Sequence, residues 1–473
     1  MNQPVAACIA LTVALFVTPA ALYAQTLPLR SPSLPPPSGT PQTIRAETDP
    51  LLAALADRPA TPDFADSIAA AAAGLPVLGE RGADVAAAQA QRDQARSRLF
   101  PILGVDAVAA RTIARDFQLS STQVENLSPR SRNDITGSVE QLVADFGATG
   151  ARIRAGNAGA DAARANLDAA RNSALLQLVA TWYDVLGART AVSLSAATVA
   201  RLDALASGAE IRFERGVDSG GDVARARSYL AAAQSQQVNL QRRRAGAEAR
   251  FVEVFGAVPG QVARAPVPAN AAFATQRPEV VAARAQARVA AAAVDAARSD
   301  RLPRLGVRVG GTAYDVLNGK QPDYDVRAQL TLSQRFSAGG GEAARVAELA
   351  ARRRSANFAV DRIGAAATRE QATAEADVTG LGDALPPLTA AYLDARRARD
   401  LFTEQFRVSR GNLFDMLRAE RDLLEAALAM AQTSYDLDVA RFALLARRGG
   451  LIEHFGLTPA VAAETSAETG ATR

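Results

Sequence analysis

Apolar and polar positions in this chain follow two different periods, which predict strands in some stretches and helices in others. From Val326 to Ser333 apolar and polar residues alternate one by one, and three other short runs alternate in the same way. Such alternation is typical of a strand with one apolar face. We therefore predict strands near 102–113, 134–144, 303–314 and 324–335. At about ten residues each, these strands fit a tilted crossing of a bilayer, but also a soluble sheet packed on one face.

Two long stretches between the strands and the next tight turns have the composition of helices. They run from Gly147 to Phe213 and from Gly340 to Phe406, 67 residues each. A helix of that length reaches about 100 Å, which predicts a coiled coil because no compact domain needs it. Pro386 and Pro387 are expected to kink or interrupt the second long helix.

The chain also contains pairs of similar segments at nearly constant spacing. ARSRLFPILGV from Ala95 and ARSDRLPRLGV from Ala297 share seven of eleven residues and lie 202 residues apart. Phe213 and Phe406, in later segments, lie 193 residues apart. A single length difference between the strands explains both spacings. We therefore predict an internal two-fold repeat whose unit is helix, strand, strand, long helix, tight turn and helix.

These patterns divide the chain into segments with different expected structures. After residue 24 no run of 18 apolar residues occurs, so any membrane crossing would not use helices. The expected segments are a signal peptide (1–24), a flexible Pro-rich leader (25–65), the first unit (66–256, with its turn near 216–222), a connector (257–277), the second unit (278–456, with its turn near 409–415) and a flexible tail (457–473).

Composition excludes several classes of function. The net charge of +4 arises from scattered arginines rather than a basic patch, so no nucleic-acid partner is expected. Cys8 is the only cysteine and lies in the predicted signal peptide, which excludes disulfides and thiol chemistry in the mature chain. The only histidine, His454, is expected to pack or lie on the surface. No catalytic residue, cofactor site or metal site is predicted.

Four strands per chain pose a geometric problem if the sheet enters a membrane. Every backbone donor and acceptor needs a partner in lipid, so an open four-stranded sheet is not viable there. Two chains would give an eight-stranded barrel filled by its own side chains. Three chains would give twelve strands, the smallest assembly that leaves a lumen.

The order of the motifs resembles that of TolC-type outer membrane channel proteins. The segments that carry the resemblance are RLFPILGV, QLVADFG, RFERGVDSGGDVARA and RGNLFDMLRAERDLLEAA. The resemblance implies a mixed α and β fold: a homotrimer with a 12-stranded barrel in outer membrane lipid, continued by a long α-helical coiled-coil tunnel into the periplasm.

The resemblance also implies partners and a role in export. The helix–helix turns would dock on a periplasmic adaptor, which belongs to a drug efflux pump or a type I secretion system. An inner-membrane ABC or proton-driven transporter would then supply the cargo; the wording of the motifs favours type I secretion slightly. A soluble periplasmic coiled-coil adaptor or scaffold is the alternative, although isolated hairpins between helices favour the channel.

The two turns contain the candidate functional residues. Their glycines permit tight reversals. Asp222 is expected to cap the first returning helix, and Asn412 with Asp415 the second. In a trimer, rings of charge could control an aperture, although Asp222 with Arg225 and Asp415 with Arg418 also fit ordinary surface pairs. Arg418 stands where the family often has a second aspartate, which argues against a purely acidic mouth. Charged replacements of Leu413 and Phe414 are expected to abolish transport but not assembly. The docking candidates are Gly216, Val217, Ser219, Gly220, Gly411, Asn412, Leu413 and Phe414.

Overall fold

The computed structural model describes residues 32–58, 63–114, 116, 131–257, 260–268, 277–317, 323–334 and 338–460. Within these residues the fold combines one antiparallel sheet with long helices, so the predicted mixed α and β class is confirmed. The predicted signal peptide and residues 461–473 of the predicted tail lie outside the described residues. The helices are α1 (Pro50–Ala56), α2 (Asp63–Gly74), α3 (Pro76–Ser97), α4 (Ala148–Glu214), α5 (Gly220–Phe255), α6 (Pro278–Ser299), α7 (Gly341–Arg407), α8 (Leu413–Arg447) and α9 (Leu451–His454). The strands are β1 (Ile102–Arg111), β2 (Ser131–Ala144), β3 (Arg304–Ala313) and β4 (Tyr324–Ser333).

The two long helices, α4 and α7, have 67 residues each. Each begins after a glycine with positive φ, 101° at Gly147 and 73° at Gly340. This left-handed conformation favours glycine, and it lets the chain leave a strand and enter a helix within a few residues. The helices α5 and α8 return along α4 and α7, and α4 also packs against α8.

The four strands form one sheet in the order β1-β2-β3-β4, with every neighbouring pair antiparallel. The hairpin β1–β2 and the hairpin β3–β4 therefore join through β2 and β3, although about 160 residues separate these two strands in the chain. An irregularity between Leu142 and Ala144 shifts the register where β2 approaches its helix. The strands β1 and β4 remain as the two edges.

The second long helix contains Pro386 and Pro387 within a continuous span, so of the expected kink or interruption the prolines cause no interruption. A proline removes a helical hydrogen bond, but its φ suits a helix and neighbouring contacts can hold it. Leu385 and Leu388 on either side pack against the main hydrophobic core. The hydroxyl of Thr389 donates to the carbonyl of Leu385 at 2.8 Å. We attribute the continuity to this packing.

The Pro-rich leader is packed against the helices, so the expected flexibility is wrong for residues 32–58. Leu34, Ile44, Leu51 and Leu55 are buried. The carbonyl of Pro35 accepts a hydrogen bond from Arg399 at 3.1 Å. The composition of the leader suggested flexibility, but its contacts are with residues far along the chain.

The main hydrophobic core surrounds the middle of the long helices. It joins the leader and α2 to α4, α7, α8, α9 and the connector. Trp182 on α4 packs its ring 5.2 Å from that of Phe64 on α2, and its indole N–H donates to the carbonyl of Ala263 at 2.9 Å. His454 packs edge-on against Phe442, consistent with the expected packing role. None of the described helices is both long and apolar enough to pass through a bilayer.

Candidate functional site: hairpin tips and sheet faces

The two helix–helix turns end in the same backbone hydrogen-bond pattern. We call residues 212–222 tip 1 and residues 405–415 tip 2. In tip 1 the Gly216 N–H donates to the carbonyl of Phe213 at 2.9 Å, and in tip 2 the Ser409 N–H donates to that of Phe406 at 3.0 Å. Both residues have positive φ, 72° at Gly216 and 59° at Ser409. In each turn the backbone N–H of the following residue donates a second hydrogen bond that closes the turn, as in a Schellman motif. Tip 2 therefore uses serine in a conformation that favours glycine.

The returning helices begin with side-chain caps; the cap predicted at Asp222 is wrong, whereas Asn412 does cap the second helix. In tip 1 the cap is Ser219, whose hydroxyl accepts from the Asp222 N–H at 3.2 Å while the Asp222 carboxylate accepts from the Ser219 N–H at 3.2 Å. In tip 2 the cap is Asn412, whose carbonyl oxygen accepts from the Asp415 N–H at 2.9 Å. Asp222 is thus the reciprocal partner in a capping box. The hydrogen bonds from Ser219 hold the pKa of Asp222 below its usual value.

The candidate glycines of the tips have different roles. Gly216 supplies a positive φ, whereas Gly220 and Gly221 begin α5. Gly411 permits a close approach, because a Cβ there would lie 3.0 Å from the Phe406 nitrogen. Only Gly216 and Gly411 therefore have a backbone requirement for glycine that is visible in the structure.

Apolar side chains join the two tips to each other. Leu413 and Leu417 from α8 are buried with Val223 and Ala226 from α5 and with residues of α4. Leu413 is therefore a core residue of the paired tips, and charged replacement would disrupt the tips themselves. This corrects the sequence-based expectation that Leu413 belongs to an exposed docking face.

The arginines of the tips make contacts other than the predicted pairs at i,i+3 spacing. The guanidinium of Arg225 lies 5.0 Å from the ring centroid of Phe414, a distance typical of a cation–π contact. Arg418 forms an ion pair with Asp422 at 3.6 Å, one turn further along α8. Both arginines are exposed. A surface location is therefore correct. Arg225 lies near enough to Asp222 to lower its pKa, whereas Arg418 pairs with Asp422 rather than Asp415.

One cross-tip contact was not identified from the sequence. Arg212 donates two hydrogen bonds to Asp218, at 2.9 and 3.0 Å, and its guanidinium lies 4.8 Å from the ring centroid of Phe406 in tip 2. The spacing of six residues across a turn is not a helical pairing rule, so the pattern gave no signal. Arg212 links the closure of tip 1 to tip 2.

Beyond these contacts the tips expose apolar side chains. Val217 is 63% exposed at the end of tip 1 and Val408 is 58% exposed at the end of α7. Phe213 and Ile211 are also exposed on the same turn of α4. Val217 was among the predicted docking residues, whereas Val408 was not. The tips therefore present a small apolar surface to solvent.

The sheet has one apolar face that runs across all four strands. Directly paired residues in an antiparallel ladder point to the same face, so the register defines each row. One row consists of Leu103, Val139, Val309 and Ala328. Leu103 is 74% exposed on this face, and Val326 and Leu330 on β4 are also exposed.

The opposite face of the sheet is polar. One of its rows is Asp106, Thr136, Thr312 and Asp325. The hydroxyls of Thr136 and Thr312 lie 3.0 Å apart. Further along the same face, the guanidinium of Arg308 donates a hydrogen bond to the carboxylate of Glu140 at 2.7 Å. The sheet thus has one apolar face and one polar face.

Comparison with known proteins agrees with this arrangement of sheet and helices. Residues 68–257 match the family model described as outer membrane efflux protein. The outer membrane efflux protein BepC of Brucella suis biovar 1 (strain 1330) is 22% identical over 352 residues, which cover 71% of this chain and 76% of BepC. The solved outer-membrane channel OprN superposes with a TM-score of 0.70 at 21% identity, covering 82% of this chain and 90% of OprN. VceC of Vibrio cholerae, an outer membrane protein, gives a TM-score of 0.69 at 17% identity, covering 81% of this chain and 95% of VceC.

The fold is therefore that of outer-membrane channel proteins. Residues 68–257 are similar to the outer membrane efflux proteins and the fold is similar to that of outer-membrane channels, so the resemblance predicted from the motifs is confirmed. The predicted outer-membrane location agrees with these similar proteins, which include an outer membrane efflux protein and an outer-membrane channel.

Proposed function

We propose that this protein is the outer membrane exit duct of a tripartite export machine, a passive channel for type I protein secretion or drug efflux. The observation that carries the proposal is the four-stranded sheet, with one apolar and one polar face, continued by two 67-residue helices. An apolar face suits lipid, and a polar face suits a water-filled lumen.

Three chains would form the duct. The edge strands β1 and β4 would otherwise expose unpaired backbone groups, which lipid does not tolerate. Pairing β4 of one subunit with β1 of the next keeps every neighbouring pair antiparallel and gives twelve strands in a homotrimer. The long helices would then enclose a tunnel into the periplasm.

The two halves of the chain would be repeats of one unit. Gly216 and Ser409, which close the two turns with the same hydrogen bonds, are 193 residues apart. The caps Ser219 and Asn412 have the same spacing. A trimer would therefore present six similar tips.

These tips would dock on a periplasmic adaptor, which links the duct to an inner-membrane ABC or proton-driven transporter. The exposed Val217 and Val408 support an apolar contact there. We expect Val217→Asp to weaken copurification of the adaptor, because a charge would replace apolar surface at the contact. Thr373→Asp, at an exposed position on α7 away from the tips, is the matched control. Equal adaptor recovery from both variants would contradict the docking role.

The charged residues of the tips would shape the narrow end of the tunnel. Asp222, Arg225, Asp415 and Arg418 would each occur three times around the axis, where rings of charge influence conductance. We expect Asp415→Asn or Arg418→Ser to change single-channel conductance or its block by divalent cations. Traces identical to the wild type for both variants would remove this role.

The trimer is tested by cross-linking between edge strands. Ala109 on β1 and Val326 on β4 lie near the ends of their strands that face the hairpin loops. We would place single cysteines along each edge around these positions and combine them in pairs. Mild oxidation should yield covalent trimers from paired variants only, and planar bilayers containing the protein should conduct. A monomer that stays soluble without detergent would support a periplasmic scaffold instead.

A further inference from the structure

A cavity lies where the sheet meets the helices, on the polar face of the sheet. Its volume is about 510 Å³, and Arg98, Arg152 and Arg304 line it together with Glu140 and Thr331. Thr331 pairs with Gly306 and Glu140 with Arg308 in the ladder, so both belong to the polar rows. If the proposed function holds, the cavity opens into the duct at the base of the barrel.

The carboxylates near this cavity are already engaged. Glu140 accepts a hydrogen bond from Arg308 at 2.7 Å. Asp145 accepts from the backbone N–H groups of Gly147 and Thr149, at 3.2 and 2.5 Å, where α4 begins. Glu140 is therefore paired with Arg308, whereas the charge of Asp145 acts on Arg152.

The three arginines share two acids, Asp145 and Asp300. Asp300 forms ion pairs with both Arg152 and Arg304, the latter at 3.2 Å. Within the described residues Arg98 has no carboxylate partner, and its side chain is exposed. Burial, together with the neighbouring Arg98 and Arg304 guanidiniums, lowers the pKa of Arg152. An anion in the cavity would relieve this repulsion between like charges.

From this geometry we infer that the cavity binds anionic groups, such as phosphate or carboxylate, of solutes that pass through the duct. Guanidinium groups bind phosphate and carboxylate oxygens through paired, charge-assisted hydrogen bonds. In a trimer three such cavities would form a cationic belt below the barrel. Phosphate-bearing or polyacidic cargo would be held there, whereas neutral cargo would not. The inference rests on the proposed duct for its role in transport, but binding itself depends only on the local geometry.

Pyrophosphate is a suitable probe because its charge and oxygens match the three guanidiniums. We expect saturable binding to the detergent-solubilised full-length chain, measured by titration calorimetry at low salt. Arg98→Gln should weaken binding about tenfold, the loss expected for one charge-assisted hydrogen bond. This variant should fold normally, since Arg98 is exposed at the end of α3. The double variant R98Q/R304Q should weaken binding further.

Arg352→Gln is the matched control, because it removes the same charge from an exposed side chain on α7, where Arg352 pairs with Glu348. Wild-type affinity in this control, with loss in R98Q, supports the site. Equal affinities for the wild type and R98Q, or equal losses in R98Q and R352Q, overturn it.

Conductance separates this inference from the proposed function. Pyrophosphate should block wild-type single channels at lower concentrations than it blocks R98Q channels. Channels that conduct normally but show no such difference would overturn the anion site and leave the duct standing. Pyrophosphate binding that depends on Arg98, in a protein that does not conduct, would support the site and overturn the duct.

Discussion

Replacing Asp49 by alanine is expected to detach the leader from the second long helix. Asp49 is fully buried and caps α1, where its carboxylate accepts from the Leu51 and Leu52 N–H groups, both at 2.9 Å. The hydroxyl of Tyr392 donates to the same carboxylate at 3.2 Å, and Arg396 forms an ion pair with it. The Asp49 side chain therefore accepts hydrogen bonds from the first N–H groups of α1 and also neutralises the buried charge of Arg396.

The size of the destabilisation by Asp49→Ala follows from the two roles of Asp49, as helix cap and as partner of Arg396. Breaking a buried ion pair by removing one partner costs about 3–5 kcal/mol, because the remaining charge stays buried. The side chain of Arg396 is 10% exposed, so water compensates it poorly. Loss of the cap contributes about 1 kcal/mol of that destabilisation. Asp49→Asn keeps an acceptor for the cap, so it should be less damaging than Asp49→Ala by about this amount.

Amide hydrogen exchange of α1 measures the free energy of opening of the leader. In Asp49→Ala we expect protection of α1 to fall by about two to three orders of magnitude. The matched control is Asp57→Ala, at the exposed end of the same helix. The double variant D49A/R396M should recover protection, since no buried charge is left alone. Wild-type protection in D49A, or no recovery in the double variant, would refute this account.

Three further predictions concern the tips and the core. Ser409→Gly should stabilise tip 2 by about 1 kcal/mol and Gly216→Ala should destabilise tip 1 by a similar amount, read from amide exchange of the two turns. Leu417→Ala, fully buried between the tips, should lower their opening free energy by about 2–5 kcal/mol, measured in the same experiment. His454 is accessible to solvent but packs against Phe442 and Phe455, and this partial burial lowers its pKa. The unfolded chain therefore binds the proton more readily, so stability should fall slightly as pH decreases below about 6.5. His454→Phe should reduce that loss in thermal unfolding between about pH 7 and pH 5.

Much of the architecture was predictable because its signals are local. Strict alternation places the strands within a few residues of their observed bounds, and the alternating residues also define the two sheet faces. The long helices begin beside glycines that have positive φ, Gly147 and Gly340, which explains why the predicted and observed lengths are the same. Local rules of this kind require no knowledge of tertiary contacts.

Other features depend on contacts between distant residues. The leader has a flexible composition, yet its contacts with α7 bridge about 350 residues of sequence. A local signal was present, since Asp49 followed by Pro50 fits a helix N-terminus, but it does not reveal the partner. The partners of the tip arginines were also unpredictable, because Phe414 meets Arg225 only when the two tips pack together.

Contacts with the leader also distinguish the two long helices. Arg399 and Asp400 on α7 are buried, and they bind the Pro35 carbonyl and the Ser38 N–H of the leader. The positions 193 residues earlier on α4 are Ala206 and Ser207, neither of which carries a charge.

Tyr392 and Arg396, which bind Asp49, likewise stand where α4 has Val199 and Asp203. Of the two long helices, only α7 has, within the described residues, buried polar side chains that bind the leader. Because one leader serves each chain, only one of the two long helices needs such a site. Transferring Tyr392, Arg396, Arg399 and Asp400 to the matched positions of α4 would bury charges without partners. The difference between the halves thus fixes which long helix the N-terminal segment binds.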